Sequence, residues 1–266
     1  MVHSPQTVNL KDNHPQPDSR TMAINPDSRN VQSELMDDPS LDDSEHRHAL
    51  LGLRRINWWS RAHSAVWHAI TRLTSPASGT RPLTILDIAS GGGDLAIRLA
   101  KMAERERRDV WIDGCDISPT AIAFASEQAA AANLNNVRFH LCNALDEPFP
   151  QSKYDVIMCS LFLHHLTQND AVRLLQRMRE SAARLVLIDD LRRTTGGYWL
   201  AWLGCRILTS CYVVHIDGPM SVEGAFTTDE ARVLAETAGL KGASIRTHWP
   251  QRFLLTWRPD RRDAIE

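Results

Sequence analysis

The sequence predicts an α/β fold: a doubly wound, mostly parallel sheet that ends on an antiparallel strand pair. Three observations predict it. Leu83 to Leu99, LTILDIASGGGDLAIRL, places an apolar run ending in Asp87 before Gly91-Gly92-Gly93 and a helical pattern through Leu95, Ile97 and Leu99. Strand, glycine turn and helix in that order open a nucleotide-type site in this fold class. Further short apolar runs alternate with helical stretches, as βαβ units require. Two last runs, Gly242–His248 and Arg252–Trp257, are joined only by Trp249-Pro250-Gln251, and so short a connection demands antiparallel pairing.

The 266 residues fit one domain with an appended tail or lid, and 43% hydrophobic content supports a substantial core. A net charge of -2 excludes a nucleic-acid-binding surface over the whole protein. The five cysteines are scattered without a C-x-x-C pair. They are expected as buried thiols of a reducing cytoplasm, with no structural zinc. No charged stretch followed by an apolar one opens the sequence, so a secretory signal is not expected.

In chain order, residues 1–32 are polar, carry Pro5, Pro15, Pro17 and Pro26, and predict a disordered tail. Residues 33–74 predict a helical lid of two amphipathic helices, with an acidic start at Asp42-Asp43 and Trp58 and Trp59 beside Arg55 and Asn57. Such helices can cover the sheet, the bound ligands, or both. A turn-rich linker, Ser75–Pro82, leads into the main domain, 75–258. The second strand, Val110–Asp116, ends in a carboxylate roughly 20 residues past the loop, where it can accept both ribose hydroxyls. Ser118-Pro119 then starts a helix. Val137–Leu141 is the third strand, and Tyr154–Ser160, almost continuously apolar, is a central fourth strand buried on both faces.

The fifth strand, Ala183–Asp190, ends in two carboxylates that either face the substrate or pair with Arg192 and Arg193. Residues 194–226 form an apolar insertion in which Tyr198, Trp199, Leu200, Trp202, Leu203, Ile207 and Leu208 make a nearly all-round apolar helix. It is too short to span a bilayer. It suits a core or dimer helix, a substrate-pocket wall, or a contact with a membrane surface. Val214–Pro219 is a polar loop, with His215 and Asp217 spaced as a base and its orienting carboxylate. Thr227 to Glu230 starts another helix, and 259–266 is a polar tail.

Two registers fit the glycine loop. Gly91-Gly92-Gly93-Asp94-Leu95-Ala96 has the G-x-G-x-x-A spacing of a dinucleotide fingerprint. Asp87-x-Ala89-x-Gly91-x-Gly93 instead sets a carboxylate at the strand end, which suits a cationic ligand. This register resembles motif I of class I S-adenosylmethionine (SAM)-dependent methyltransferases, (D/E)-x-G-x-G-x-G. Ala89 replaces the first glycine, at a position where alanine cannot adopt left-handed φ cheaply. DIASGGGD, CDISP, CNA, CSLFLHHL and the final strand pair follow in the family's order, over about Ile56 to Arg258. Asp146-Glu147-Pro148-Phe149 is similar to the D-x-P-F segment of ubiquinone/menaquinone-type methyltransferases. No Tyr-x-x-x-Lys pair supports a dehydrogenase, and no Asn-Pro-Pro-Tyr supports DNA or glutamine N-methylation.

The resemblance implies a Rossmann-like three-layer sandwich with a seven-stranded sheet and SAM as cofactor. By it, Asp87, Ala89, Gly91 and Gly93 bracket the methionine part, with Ser160 near that end. Asp116 and Ile117 hold the ribose, and Asn143 (where the family carries Asp) and Ala144 meet the adenine. His164 and His165 are candidate bases, or shape the pocket, and His215 is a second candidate. Trp58, Trp59, Tyr198, Trp199 and Asp217 are candidates for contact with a small hydrophobic acceptor, phenolic or quinol-like. O-methylation is expected ahead of C-methylation. No metal, transmembrane segment or nucleic acid is implied, and a monomer or homodimer with a peripheral membrane contact is compatible. The alternatives are a non-catalytic SAM-binding regulatory module and an NAD-dependent dehydrogenase.

Overall fold

A computed structural model describes residues 25–38, 40–73 and 81–259. Most of the expected tail, the linker to residue 80, and residues 260–266 lie outside these. The seven strands are β1 (Leu83–Ile88), β2 (Val110–Asp116), β3 (Val137–Leu141), β4 (Tyr154–Ser160), β5 (Ala182–Leu191), β6 (Ser244–His248) and β7 (Arg252–Trp257). They form one sheet in the order β3-β2-β1-β4-β5-β7-β6. β1 to β5 pair in parallel, and β7 runs antiparallel to both β5 and β6. The strand order reverses between β1 and β4. A ligand crevice therefore opens outside the carboxyl ends of these two strands, just past Asp87.

Helices cover both faces, because both faces of the central strands are apolar. Leu86, Ile88, Ile157 and Val186 pack with α5 (Gln168–Ser181) and α8 (Thr228–Thr237). Ile85, Ile112, Val156 and Leu185 pack with α2 (Ala62–Leu73) and α3 (Asp94–Arg105). α4 (Pro119–Ala131) starts on the expected Ser118 cap with Pro119 in its first turn. α8 starts on a capping box between Thr227 and Glu230. α1 (Asp43–Ser60), capped by Asp42, lays Leu50 over the glycine loop, where Phe124 of α4 joins it. All five cysteines are buried and unpaired.

The structure corrects three expectations. Residues 25–32, assigned to a disordered tail, are seated on the domain. Arg29 donates from Nε to Gly224 O (2.8 Å) and from Nη2 to His164 O and Leu166 O, and its guanidinium lies 3.5 Å from the Phe226 ring centroid. Val214–Pro219 is not a loop but part of α7 (Tyr212–Gly224). Asp217 within it accepts the backbone N–H groups of Leu35 and Met36 at 2.9 and 3.0 Å. Finally, of the readings open for α6 (Thr195–Leu208), a helix wholly inside the core is set aside: Trp199, Leu203 and Ile207 form an exposed stripe. Its other side meets α7, where Gly218 allows the approach: a Cβ there would lie 2.4 Å from Cys205 Sγ.

Arg193 ties these pieces together. Its buried guanidinium pairs with Glu230 (2.6 Å) and donates to Pro26 O and Ala225 O. Replacing Arg193 with Met leaves those acceptors without their donor, so urea unfolding is expected to show a loss of about 3 kcal/mol.

Candidate active site

The glycine loop assembles the first part of the site. Ala89 takes φ 53°, Gly91 50° and Gly93 75°. Ala89 thus occupies the left-handed region despite its Cβ, at a cost of roughly 1–2 kcal/mol. Gly93 must be glycine because a Cβ would sit 2.5 Å from Phe139 Cζ, and it caps the N-terminus of α3. At Gly91 a Cβ would meet nothing nearer than Leu50 Cδ2, 3.9 Å away, so the loop backbone stays open.

Three carboxylates surround this loop. Asp87 is 2% exposed, and burial first, then Asp94 and Asp116, push it up to about 8. Asp94 is raised by burial although Asn57 Nδ2 donates to it at 3.0 Å. Asp116 is also raised by burial, although it accepts Gly91 N (2.8 Å) and Ser118 N (2.9 Å). Arg54 and Arg98 act on Asp94 and His46 on Asp116, whereas no basic group is among the causes acting on Asp87, whose ionised form is disfavoured by burial and by two like charges. Ile117, beside Asp116, is 69% exposed, an apolar surface open to a ring. Asn143 uses its Oδ1 to accept Leu145 N and its amide to reach Asp146, and Ala144 is buried beside it.

A cleft of about 580 Å³ runs from Gly92 and Asp94 to Ser160 and Arg252. Trp58, Trp59, Ile207 and Leu208 supply apolar walls, and Arg54, Arg55, Arg98 and Lys101 add positive charge. Trp59 packs against Trp249 with ring centroids 5.3 Å apart. Ser160 accepts Arg252 Nη2 at 2.9 Å and lies 3.3 Å from Asp189 Oδ2. Asp189 does not pair with Arg192 or Arg193. It pairs with Arg252 at 2.7 Å and His248 at 2.8 Å, because the β5–β7 pairing brings Arg252 alongside.

Asp190 points to the opposite face of β5, as alternation requires, and holds His164. His164 Nδ1 lies 2.6 Å from Asp190 Oδ1, and the His164 backbone N–H donates to Asp190 Oδ2. His165 Nδ1 lies 3.0 Å from Asp37 Oδ2. The Nε2 atoms of both rings converge on Glu34 Oε1, at 3.7 and 3.9 Å. Burial alone would lower His164, but Asp190 and Glu34 raise it to about 10. Burial would raise Glu34 and Asp37, yet the two imidazoles hold both below the usual carboxylate range. Asp37 also raises Asp116, so this cluster adjoins the cofactor end.

Other candidates are placed elsewhere. His215 Nε2 donates to Thr209 O at 2.8 Å and makes no pair with Asp217, since residues two apart on a helix point ~200° apart. Asp217 holds the Leu35–Asp37 turn rather than facing the cleft. Tyr198 and Trp199 are stacked edge to face with each other, away from the cleft that Ile207 and Leu208 line. Glu34, Asp37, His248 and Arg252 were not anticipated. Their only sequence signal was charge near an element end.

Two outcomes follow. Ala89→Gly is expected to raise the unfolding free energy by about 1 kcal/mol or less, as strain relief is partly offset by chain entropy. His164 is held at about 10 against an ordinary 6.5. Its contribution to stability is complete below pH 6.5 and is lost as pH rises toward 10. Thermal unfolding of His164→Gln between pH 6.5 and 10 is expected to show a flatter decline than wild type.

Residues 85–184 match a family described as Methyltransferase domain. The chain is 31% identical over 140 residues to 27-O-demethylrifamycin SV methyltransferase of Amycolatopsis mediterranei, half of each chain. It is 29% identical over 189 residues to a ubiquinone/menaquinone biosynthesis C-methyltransferase of Cellvibrio japonicus, covering 69% of this chain and 68% of that one. The chain spans 38–50% of the length of the first curated relatives it matches. Human N-acetylserotonin methyltransferase, solved in complex with SAM, superposes with a TM-score of 0.61 at 16% identity, over 82% of this chain and 56% of that one. Strand order, glycine loop and these matches agree on a methyltransferase domain of the class I, SAM-dependent type over residues 85–184.

Proposed function

We propose that this protein transfers the methyl group of SAM to a small hydrophobic acceptor, a phenol or quinol, with oxygen as the methylated atom. The observation that carries the reading is Asp87: a buried carboxyl raised to about 8, beside two more carboxylates and an open glycine loop. Such a group favours a cationic ligand and disfavours a pyrophosphate, which opposes the dinucleotide alternative. The residues fit SAM. Asp87 with the Gly91 to Gly93 backbone would hold the amino-acid end, Asp116 the ribose, and Ile117 with Ala144 the adenine. Asn143 Oδ1 retains one lone pair for the adenine amino group.

When bound, SAM supplies an activated methyl group, whose S–C bond breaks as the acceptor O–C bond forms. The chain's own part is alignment, exclusion of water and handling of one proton. Leu50 of α1 covers the loop, while Trp58 and Trp59 with the basic residues of the cleft suit an aromatic ring carrying a phenolate. His165, whose Nδ1 is held by Asp37 at 3.0 Å, is the group that takes the proton an acceptor hydroxyl loses. Tyr198, Trp199, His215 and Asp217 have no part in this reading. The O-methyl transfer named for the rifamycin relative supports oxygen, and the C-methyl transfer named for the quinone relative supports the ring class.

The test is calorimetry with SAM, SAH and NAD, followed by transfer of labelled methyl from SAM to a panel of phenols and quinols. Expected are SAM and SAH binding, weakened at least tenfold in Asp116→Ala, no NAD binding, and labelled methyl ethers as product. Binding of NAD but not SAM by folded protein overturns the reading. Tight SAM binding with no turnover across the panel favours the regulatory-module alternative.

A further inference from the structure

The acceptor-side cluster has more organisation than proton transfer needs. Each of its two imidazoles has its Nδ1 engaged by a carboxylate, His164 by Asp190 at 2.6 Å and His165 by Asp37 at 3.0 Å. Such carboxylate–histidine pairs fix the ring orientation and place the Nε2 lone pair on the far side. Here both far sides face the same oxygen, Glu34 Oε1, at 3.7 and 3.9 Å, too long for hydrogen bonds. One nitrogen from each histidine and one oxygen from Glu34 all lie within 4.8 Å of one another. Ligands about 2.1 Å from a tetrahedral zinc are themselves roughly 3.4 Å apart, so a contraction of about half an ångström closes the pairs with Glu34 around an ion.

Charge points the same way. The side chains of Glu34 and Asp190 are 11% and 2% exposed, Asp217 on α7 is buried, and Asp37 lies at the exposed rim of the group. The facing basic groups are the two imidazoles, His46, Arg29 and Arg252; Arg29 is spent on the carbonyls of Gly224, His164 and Leu166, and Arg252 pairs with Asp189. Three buried or half-buried acids and the rim carboxylate of Asp37 around two histidines make an acidic setting that suits a divalent ion.

We infer that Glu34, His164 and His165 bind one divalent transition-metal ion, with Asp190 and Asp37 orienting the two histidines. Two imidazoles and one carboxylate with a further position open is a ligand set suited to zinc, cobalt or iron in their divalent states. The inference itself uses only side chains of this chain and does not depend on the methyl-transfer reading.

Full-length protein stripped with chelator and titrated with Zn²⁺ or Co²⁺ at pH 7.5 provides the test, with metal content by elemental analysis and visible absorption of the cobalt form. Expected is one ion per chain, a Co²⁺ spectrum of low symmetry, and a higher thermal midpoint with metal. Glu34→Gln, isosteric and uncharged, is expected to weaken binding at least tenfold, and His165→Asn likewise, with both variants still folded by circular dichroism. Less than 0.1 ion per wild-type chain, or equal occupancy in Glu34→Gln, overturns the inference. SAM titration of the same samples separates the two claims: metal uptake without SAM binding removes the proposed function and leaves the metal site. SAM binding without metal uptake does the reverse.

Discussion

The buried carboxyl of Asp87 is the constraint around which this molecule is arranged. It stands near the end of a largely buried parallel strand, at the point where the sheet reverses its strand order. Two further acids, Asp94 and Asp116, face it across the glycine loop, and no arrangement of like charges at that depth is stable when all are ionised. The fold tolerates the arrangement because Asp87 keeps its proton in the empty protein. A ligand that brings positive charge converts this cost into binding free energy. The glycine loop, the open backbone at Gly91 and the apolar cover from Leu50 all serve that exchange.

The acceptor side follows a second constraint, the alternation of a β-strand. Asp189 and Asp190 are neighbours in sequence and lie on opposite faces of β5. Asp189 closes a buried network with Ser160, His248 and Arg252 that anchors one wall of the cleft. Asp190 grips His164 by ring and backbone and so aims it toward Glu34. Two consecutive carboxylates thereby build two different environments, one on each face of the sheet. The exposed aromatic rim of Trp58, Trp59 and Trp249 sits at the mouth of the cleft, and no helix among the described residues is long and apolar enough to cross a membrane.

Much of this was legible in the sequence because it is local. The strand–glycine–helix transition, the Ser118-Pro119 helix start, the Thr227 capping box and the short β6–β7 connection each follow from residues within a few positions of one another. What was not legible is what the chain joins over distance. Arg29 bonds to a carbonyl 195 residues away, and Asp37 meets His165 across 128. Hydrophobic periodicity carries no information about such contacts, which is why residues 25–32 read as a tail and Glu34 gives no local signal. His215 and Asp217 failed for the opposite reason. Closeness in sequence suggested a pair, but helical geometry turns them apart, and Asp217 caps a turn instead. Ala89 shows a third kind of miss: the fold pays for a left-handed alanine that intrinsic preference disfavours.

The central claim is that Asp87 awaits a cation, and proton release tests it most directly. SAM is titrated calorimetrically at pH 6.5 in buffers of different ionisation enthalpy. A carboxyl held at about 8 is protonated at that pH and must ionise when the positive end of SAM arrives beside it. The account predicts release of nearly one proton per SAM bound, absent in Asp87→Asn. Binding of SAM with no proton release, or release that persists unchanged in Asp87→Asn, would contradict it.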